Sequence, residues 1–169
     1  MKTNREPIFP YQSGHPREWR GRYQRMAPAE RPLMTWYLEH PTCPALELWY
    51  DVRIDGITDS APDTNLDLFT DDPDMRRMWW AQTAKRCDAI ERRQGDFRII
   101  EVRYHVAPQT LGELQLYHLL ATAQWPDLTF APPLLLCALI DDAIALALAR
   151  ANYSLLVAPD VPLDQPRDA

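Results

Sequence analysis

The chain has 169 residues, 46% hydrophobic and 25% charged, with a formal net charge of −6. That length and apolar content suit one domain with its own core, and the negative balance excludes a protein that coats nucleic acid with its whole surface. Cys43, Cys87 and Cys137 are too few and too far apart for a disulfide framework or a metal motif, the polar start lacks the apolar run of a signal peptide, and no run of about eighteen apolar residues offers a membrane span.

Charge is unevenly placed. Residues 1–31 hold seven Lys/Arg against three Glu, a net of +4, and the rest of the chain nets −10. Residues 1–26 are polar, proline-punctuated and aromatic, with Arg17, Trp19, Arg20, Arg22 and Arg25 in a basic, aromatic stripe. Such a segment buries little of itself and reads as an extended basic arm that docks on a partner or packs back on its own domain. Residues 28–40 predict a first helix, with Pro32 in its first turn and Leu33, Trp36, Tyr37 and His40 on one face. Glu30 and Glu39 lie on or beside that helix. Residues 46–54 predict a strand with Leu46, Leu48, Tyr50, Val52 and Ile54 on one face and Glu47, Trp49, Asp51 and Arg53 on the other.

Residues 55–74 hold seven Asp and no Lys or Arg, without calcium-loop spacing, and read as a solvated acidic loop. Residues 74–84 predict a helix with Met75, Met78, Trp79 and Gln82 on one side. Residues 86–103 then read as two short strands joined at Gln94-Gly95, because glycine accepts the positive φ of a tight hairpin turn. A two-residue loop sets Arg93 opposite Asp96 and, further back, Asp88 opposite Glu101. Directly opposed residues have Cβ atoms roughly 5 Å apart. Two carboxylates that close repel unless a cation or a proton lies between them. Arg103 shares the face of Glu101.

Pro108 opens a further helix, striped by Leu111, Leu114, Tyr117, His118 and Ala121 and closed at Trp125-Pro126. Residues 134–140 are apolar on both faces, as in a central parallel strand. Asp141-Asp142 suits the start of a short alanine-rich helix over 143–151, residues 153–158 form a last strand, and 159–169 an extended acidic tail. A helix between two parallel strands makes an α/β crossover.

Two carboxylates and a basic residue on adjacent strands can build a Mg²⁺-dependent phosphodiesterase, in which the metal activates water and stabilises charge on phosphate. At these residues the chain resembles the PD-(D/E)XK nuclease superfamily over about residues 45–158. Asp88 matches the first acidic position, Glu101-Val102-Arg103 the (D/E)-x-K element, and the helix from Leu111 to Tyr117 the one that follows the core. The resemblance implies a three-layer restriction-endonuclease-like α/β core with a mixed central sheet over 27–158, flanked by an arm at 1–26 and a tail at 159–169. It implies Asp88, Glu101 and Arg103 as the catalytic set, Asp88 and Glu101 as ligands of Mg²⁺ in an active enzyme, and Gln115 and Tyr117 as support.

Three departures accompany it. Arg103 stands for the lysine, Glu113 for a glutamine, and Cys87 for the proline before Asp88. Arginine stays protonated and is a poor proton acceptor. The expectation is therefore a catalytically degenerate fold, without a cofactor, serving as a structural or interaction subunit. Because proteins of this general look also occur among bacteriophage and mobile-element genes, its concrete form is a virion component, a head–tail connector or neck protein in a homo-oligomeric ring, located in the virion or the host cytoplasm. The alternative is an active Mg²⁺-dependent nuclease whose basic arm tracks DNA.

Overall fold

A computed structural model of the chain describes residue 9, residues 14–19, residue 23, residues 26–54 and residues 85–158. Among these, a six-stranded open sheet carries three helices. The acidic loop and helix expected over 55–84, the residues Arg20, Arg22 and Arg25, and the tail from 159 lie outside the described residues.

Helix α1 (Arg31–Glu39) carries Pro32 in its first turn, where the missing N–H costs nothing. Leu33, Met34, Tyr37 and Leu38 are its buried residues. Strands β2 (Glu47–Ile54), β3 (Lys85–Arg92) and β4 (Phe97–His105) form an antiparallel meander. Helix α2 (Gln109–Gln124) crosses to β5 (Phe130–Leu139), and α3 (Asp142–Arg150) to β6 (Ser154–Val157). Strands β4, β5 and β6 run parallel to one another, so the sheet is mixed. Antiparallel pairing joins β1 through β4, with a tight turn between β3 and β4, and helical crossovers join β4 to β5 and β5 to β6. A two-residue strand β1 (His15–Pro16) pairs antiparallel with β2 at the far edge.

The apolar side chains divide by face. Helix α1 packs over Leu48, Ala89, Ile100, Val102, Leu134 and Leu136. Helix α2 packs over Trp49, Ile90 and Ile99 with Tyr117 and Ala121, and α2 with α3 covers Leu135 and Cys137. Strand β5 is buried on both faces, as expected of its leucine run. Pro132 and Pro133 fall where β5 inserts an extra residue against β4, between the pairs Arg98↔Ala131 and Ile100↔Leu134. Proline lacks the N–H of a ladder bond, and a bulge is where a strand accepts it.

Strand β2 departs from simple alternation. Val52 and Ile54 pack with Trp49 on the α2 side, whereas Leu48 and Tyr50 pack with α1. The break comes at Asp51, whose φ is +53°. A left-handed residue breaks the two-residue period of a strand. Opposite it the ladder passes from Tyr50↔Ala89 to Val52↔Cys87, and Ala89 and Cys87 are likewise divided between the two cores.

The described residues of the segment 1–26 lie against the domain. Phe9 is buried edge-on against Trp49, Trp125 and Phe97, with centroids 4.9, 4.8 and 5.9 Å away. Trp19 stacks on His15 at 4.0 Å and lies 5.3 Å from Tyr50. The Arg17 guanidinium donates to the carbonyls of Leu38, His40 and Cys43 at 2.8, 2.9 and 3.2 Å. It thereby satisfies carbonyls that the end of α1 leaves without a helical partner.

Candidate functional site

The hairpin of β3 and β4 is built on the expected register. Gly95 has φ +107°, the Arg93 N–H donates to the Asp96 carbonyl at 2.8 Å, and their side chains pair at 2.6 Å. The ladder Ala89↔Ile100, Ile90↔Ile99, Glu91↔Arg98 and Arg92↔Phe97 sets Asp88 at the level of Glu101. There the bonding changes character. The Val102 N–H donates to Asp88 Oδ2 at 2.8 Å, so a side chain takes the place of a backbone acceptor.

Arg103 is the hub. Its guanidinium pairs with Asp88 Oδ2 at 3.2 Å, with Glu113 Oε2 at 3.2 Å and with Glu101 Oε1, and Glu30 Oε1 stands 4.0 Å away. Glu30, just before α1, also accepts from the Ala27 N–H at 3.0 Å. Four carboxylates therefore surround one guanidinium. Glu101 is 1% exposed, and its Oε2 is buried with no hydrogen-bond partner. A buried acceptor left unpaired is costly, and an unpaired buried charge more so.

The electrostatics follow from this excess of acid. Burial pushes the Asp88 carboxyl up to about 6, against the pull of the Val102 N–H and Arg103, with Glu30 and Asp51 adding to the rise. Burial and then the neighbouring Asp88 hold Glu101 well above the usual carboxylate range, opposed by Arg103. Burial pulls the Arg103 guanidinium down, but Glu101, Asp88, Glu30 and Glu113 together raise it. Tyr117, buried on α2, is raised by burial and then by Glu101 and Glu113. Burial, followed by Glu101 and Asp88, likewise pushes the Cys87 thiol up. Asp51 pairs with Arg86 at 2.7 Å beside the cluster.

Of the expected site residues, Asp88, Glu101 and Arg103 come together, and Tyr117 stands close enough to feel the same charges. Gln115 is exposed on the outer side of α2. Residues 113 and 117 are one helical turn apart and share a face, whereas 115 points away, so Glu113 is the polar residue that α2 brings in. The spacing of Glu113 to Tyr117 was the signal for it. Glu30 enters the cluster, while Glu39 is exposed at the other end of α1. Of the arm residues, Arg17 and Trp19 take the places in the fold described above.

A second polar cluster lies three residues along the same strands, and the sequence offered no reading of it. Glu91 and Arg98 are cross-strand partners, joined Nε to Oε1 at 2.6 Å. The Tyr37 hydroxyl donates to Glu91 Oε2 at 2.6 Å and accepts from Arg98 Nη2 at 3.0 Å. The Glu91 side chain is fully buried and that of Arg98 is 11% exposed.

Among the described residues no group of three or more His, Cys, Asp or Glu is arranged to hold a metal ion, and no helix among them is long and apolar enough to cross a membrane. No family model matches the chain, and neither a curated protein nor a solved structure matches it.

Proposed function

We propose that this is a restriction-endonuclease-like domain whose phosphodiesterase site has been closed by its own arginine, and that it works as a structural or interaction subunit of a larger assembly. The element order α1-β2-β3-β4-α2-β5 supports the fold assignment, as does the convergence of Asp88, Glu101 and Arg103 at the hairpin. One observation carries the loss of catalysis: the guanidinium engages Asp88, Glu101 and Glu113 together. A fixed cation then stands among the acids that would take Mg²⁺, and this cation cannot accept a proton from water. With Arg103 so placed the donor set does not fit a hard divalent ion, which wants about six free oxygen ligands. The resemblance, rather than the geometry, suggests the concrete form of the assembly, a bacteriophage virion component such as a head–tail connector or neck ring.

A second reading, an active Mg²⁺-dependent nuclease acting on DNA, is favoured by the unpaired, buried Oε2 of Glu101. A bound cation would satisfy that oxygen if Arg103 swung outward. One experiment separates the two. Purified protein is incubated with DNA and with RNA in Mg²⁺ or Mn²⁺, beside Glu101→Ala and Arg103→Lys, and its mass in solution is measured. The structural reading expects no cutting by the native chain and a stable oligomer. Cutting that disappears in Glu101→Ala defeats it in favour of the nuclease.

A further inference from the structure

We infer that two copies of this chain join edge to edge through β6, with their α3 helices side by side across a two-fold axis. The observations lie at the end of the sheet opposite β1 and are independent of whether the acidic cluster cuts. Strand β6 is the last of the sheet among the described residues, bonded in parallel to β5 along one side. Proteins ordinarily blunt an edge strand with a charge, a proline or a bulge, because its outer N–H and C=O groups are a template for another strand. Ser154-Leu155-Leu156-Val157 has neither a charge nor a proline. Residues 130–158 hold just three charged side chains, Asp141, Asp142 and Arg150, in a chain that is 25% charged.

The helix that covers this end of the sheet also presents an exposed apolar side chain. Leu148 is the buried residue of α3, whereas Leu146 is 54% exposed. Val157 is 44% exposed and lies, by alternation from Leu155, on the side of the sheet that α3 covers. The strand edge and the outward side of the helix above it are thus both apolar, on one side of the sheet.

The occupant is a second copy because the patch complements itself. A two-fold axis perpendicular to the sheet, just outside β6 at the level of its middle, sets β6 antiparallel to its mate, a pairing that identical strands can make. The same axis leaves both α3 helices on one face and antiparallel. Asp142 in the first turn of one α3 then comes beside Arg150 in the last turn of the other, and the contact occurs twice. The helix dipoles also oppose one another. Elsewhere a chain of net charge −6 repels its copy, and this charge-poor edge is where two copies meet at least cost.

The test is sedimentation of the full chain, with Leu146→Asp, Val157→Lys, Asp142→Arg and the double variant Asp142→Arg/Arg150→Asp. Circular dichroism checks the fold of each. The native chain is expected at twice the protomer mass, or at an even multiple of it if dimers assemble further. Leu146→Asp and Val157→Lys should each weaken the two-fold contact at least about tenfold. Asp142→Arg should weaken it less, and the double variant should restore it. A native chain that stays monomeric at about 100 μM, where a dimer of micromolar Kd is almost fully formed, overturns the inference. So does a mass that neither Leu146→Asp nor Val157→Lys changes. A double variant no tighter than Asp142→Arg overturns the antiparallel arrangement.

Discussion

Strands β3 and β4 hold two acid–guanidinium clusters three residues apart, and they are built on opposite principles. On the α1 side Glu91, Arg98 and Tyr37 form a closed set, with one carboxylate, one guanidinium and a hydroxyl that both donates and accepts. Around Arg103 the set is unbalanced, with Asp88, Glu101, Glu113 and Glu30 facing one cation and a buried oxygen of Glu101 left unpaired. A satisfied network rigidifies a core. An oversupply of buried acid gives up stability, which is the pattern expected where a site has been shaped for something other than folding. The contrast separates a structural knot from a candidate site within a single hairpin.

The sharpest way to break the contrast is to remove each guanidinium in turn. Arg98→Met strands a fully buried Glu91 and should cost about 3–5 kcal/mol, the usual penalty for halving a buried pair. Tyr37→Phe/Glu91→Leu/Arg98→Met removes the whole set and should recover most of that loss in urea unfolding. Arg103→Met should cost less, about 2–3 kcal/mol at neutral pH, because the acids it leaves can take up protons. Its stability should return toward native as the pH is lowered. If Arg103→Met proves as costly at pH 5 as at pH 8, the picture of an over-acidic pocket fails.

The native protein should itself show a pH effect of the same sign. Asp88 is raised from 3.8 to about 6 in the folded state, so the folded chain holds a proton that the unfolded chain has released. This contribution is fully present below the unfolded pKa and is lost as pH rises through about 6. Its size is on the order of 2–3 kcal/mol. Glu101, held well above the usual carboxylate range by burial and by Asp88, acts in the same direction. Glu101→Gln should therefore flatten the slope and stabilise the protein at pH 8, as read from unfolding midpoints at pH 5 and pH 8. The smallest effect belongs to Glu113→Gln. That residue is 39% exposed at the rim of the cluster, and a solvated pair is worth about 0.5 kcal/mol.

The parts of this arrangement that could be read from the chain are those governed by neighbours in sequence. Gly95 sets the turn, the turn sets the register, and the register alone brings Asp88 level with Glu101 and puts Arg103 on the face of Glu101. Pro32 and Pro108 marked helix starts, and the leucine run of β5 marked a strand buried on both sides. Glu113 was legible from its one-turn spacing to Tyr117, although Gln115 attracted the reading. The exchange of faces at Asp51 was not legible, because nothing in Tyr50-Asp51-Val52 announces a positive φ. The Arg17 contacts at the end of α1, the burial of Phe9 and the partnership of Tyr37 with Glu91 were equally hidden.

Local chemistry thus determined where strands and helices begin, how the hairpin closes and which side chains alternate along it. The folded chain decided which guanidinium is fully matched and which is outnumbered. That outcome depends on Tyr37 meeting Glu91 across 54 positions and on Glu30 and Glu113 arriving from two different helical segments beside Arg103. Charge balance in a buried pocket is a sum over groups distant in sequence, and only packing brings those groups within reach of one another.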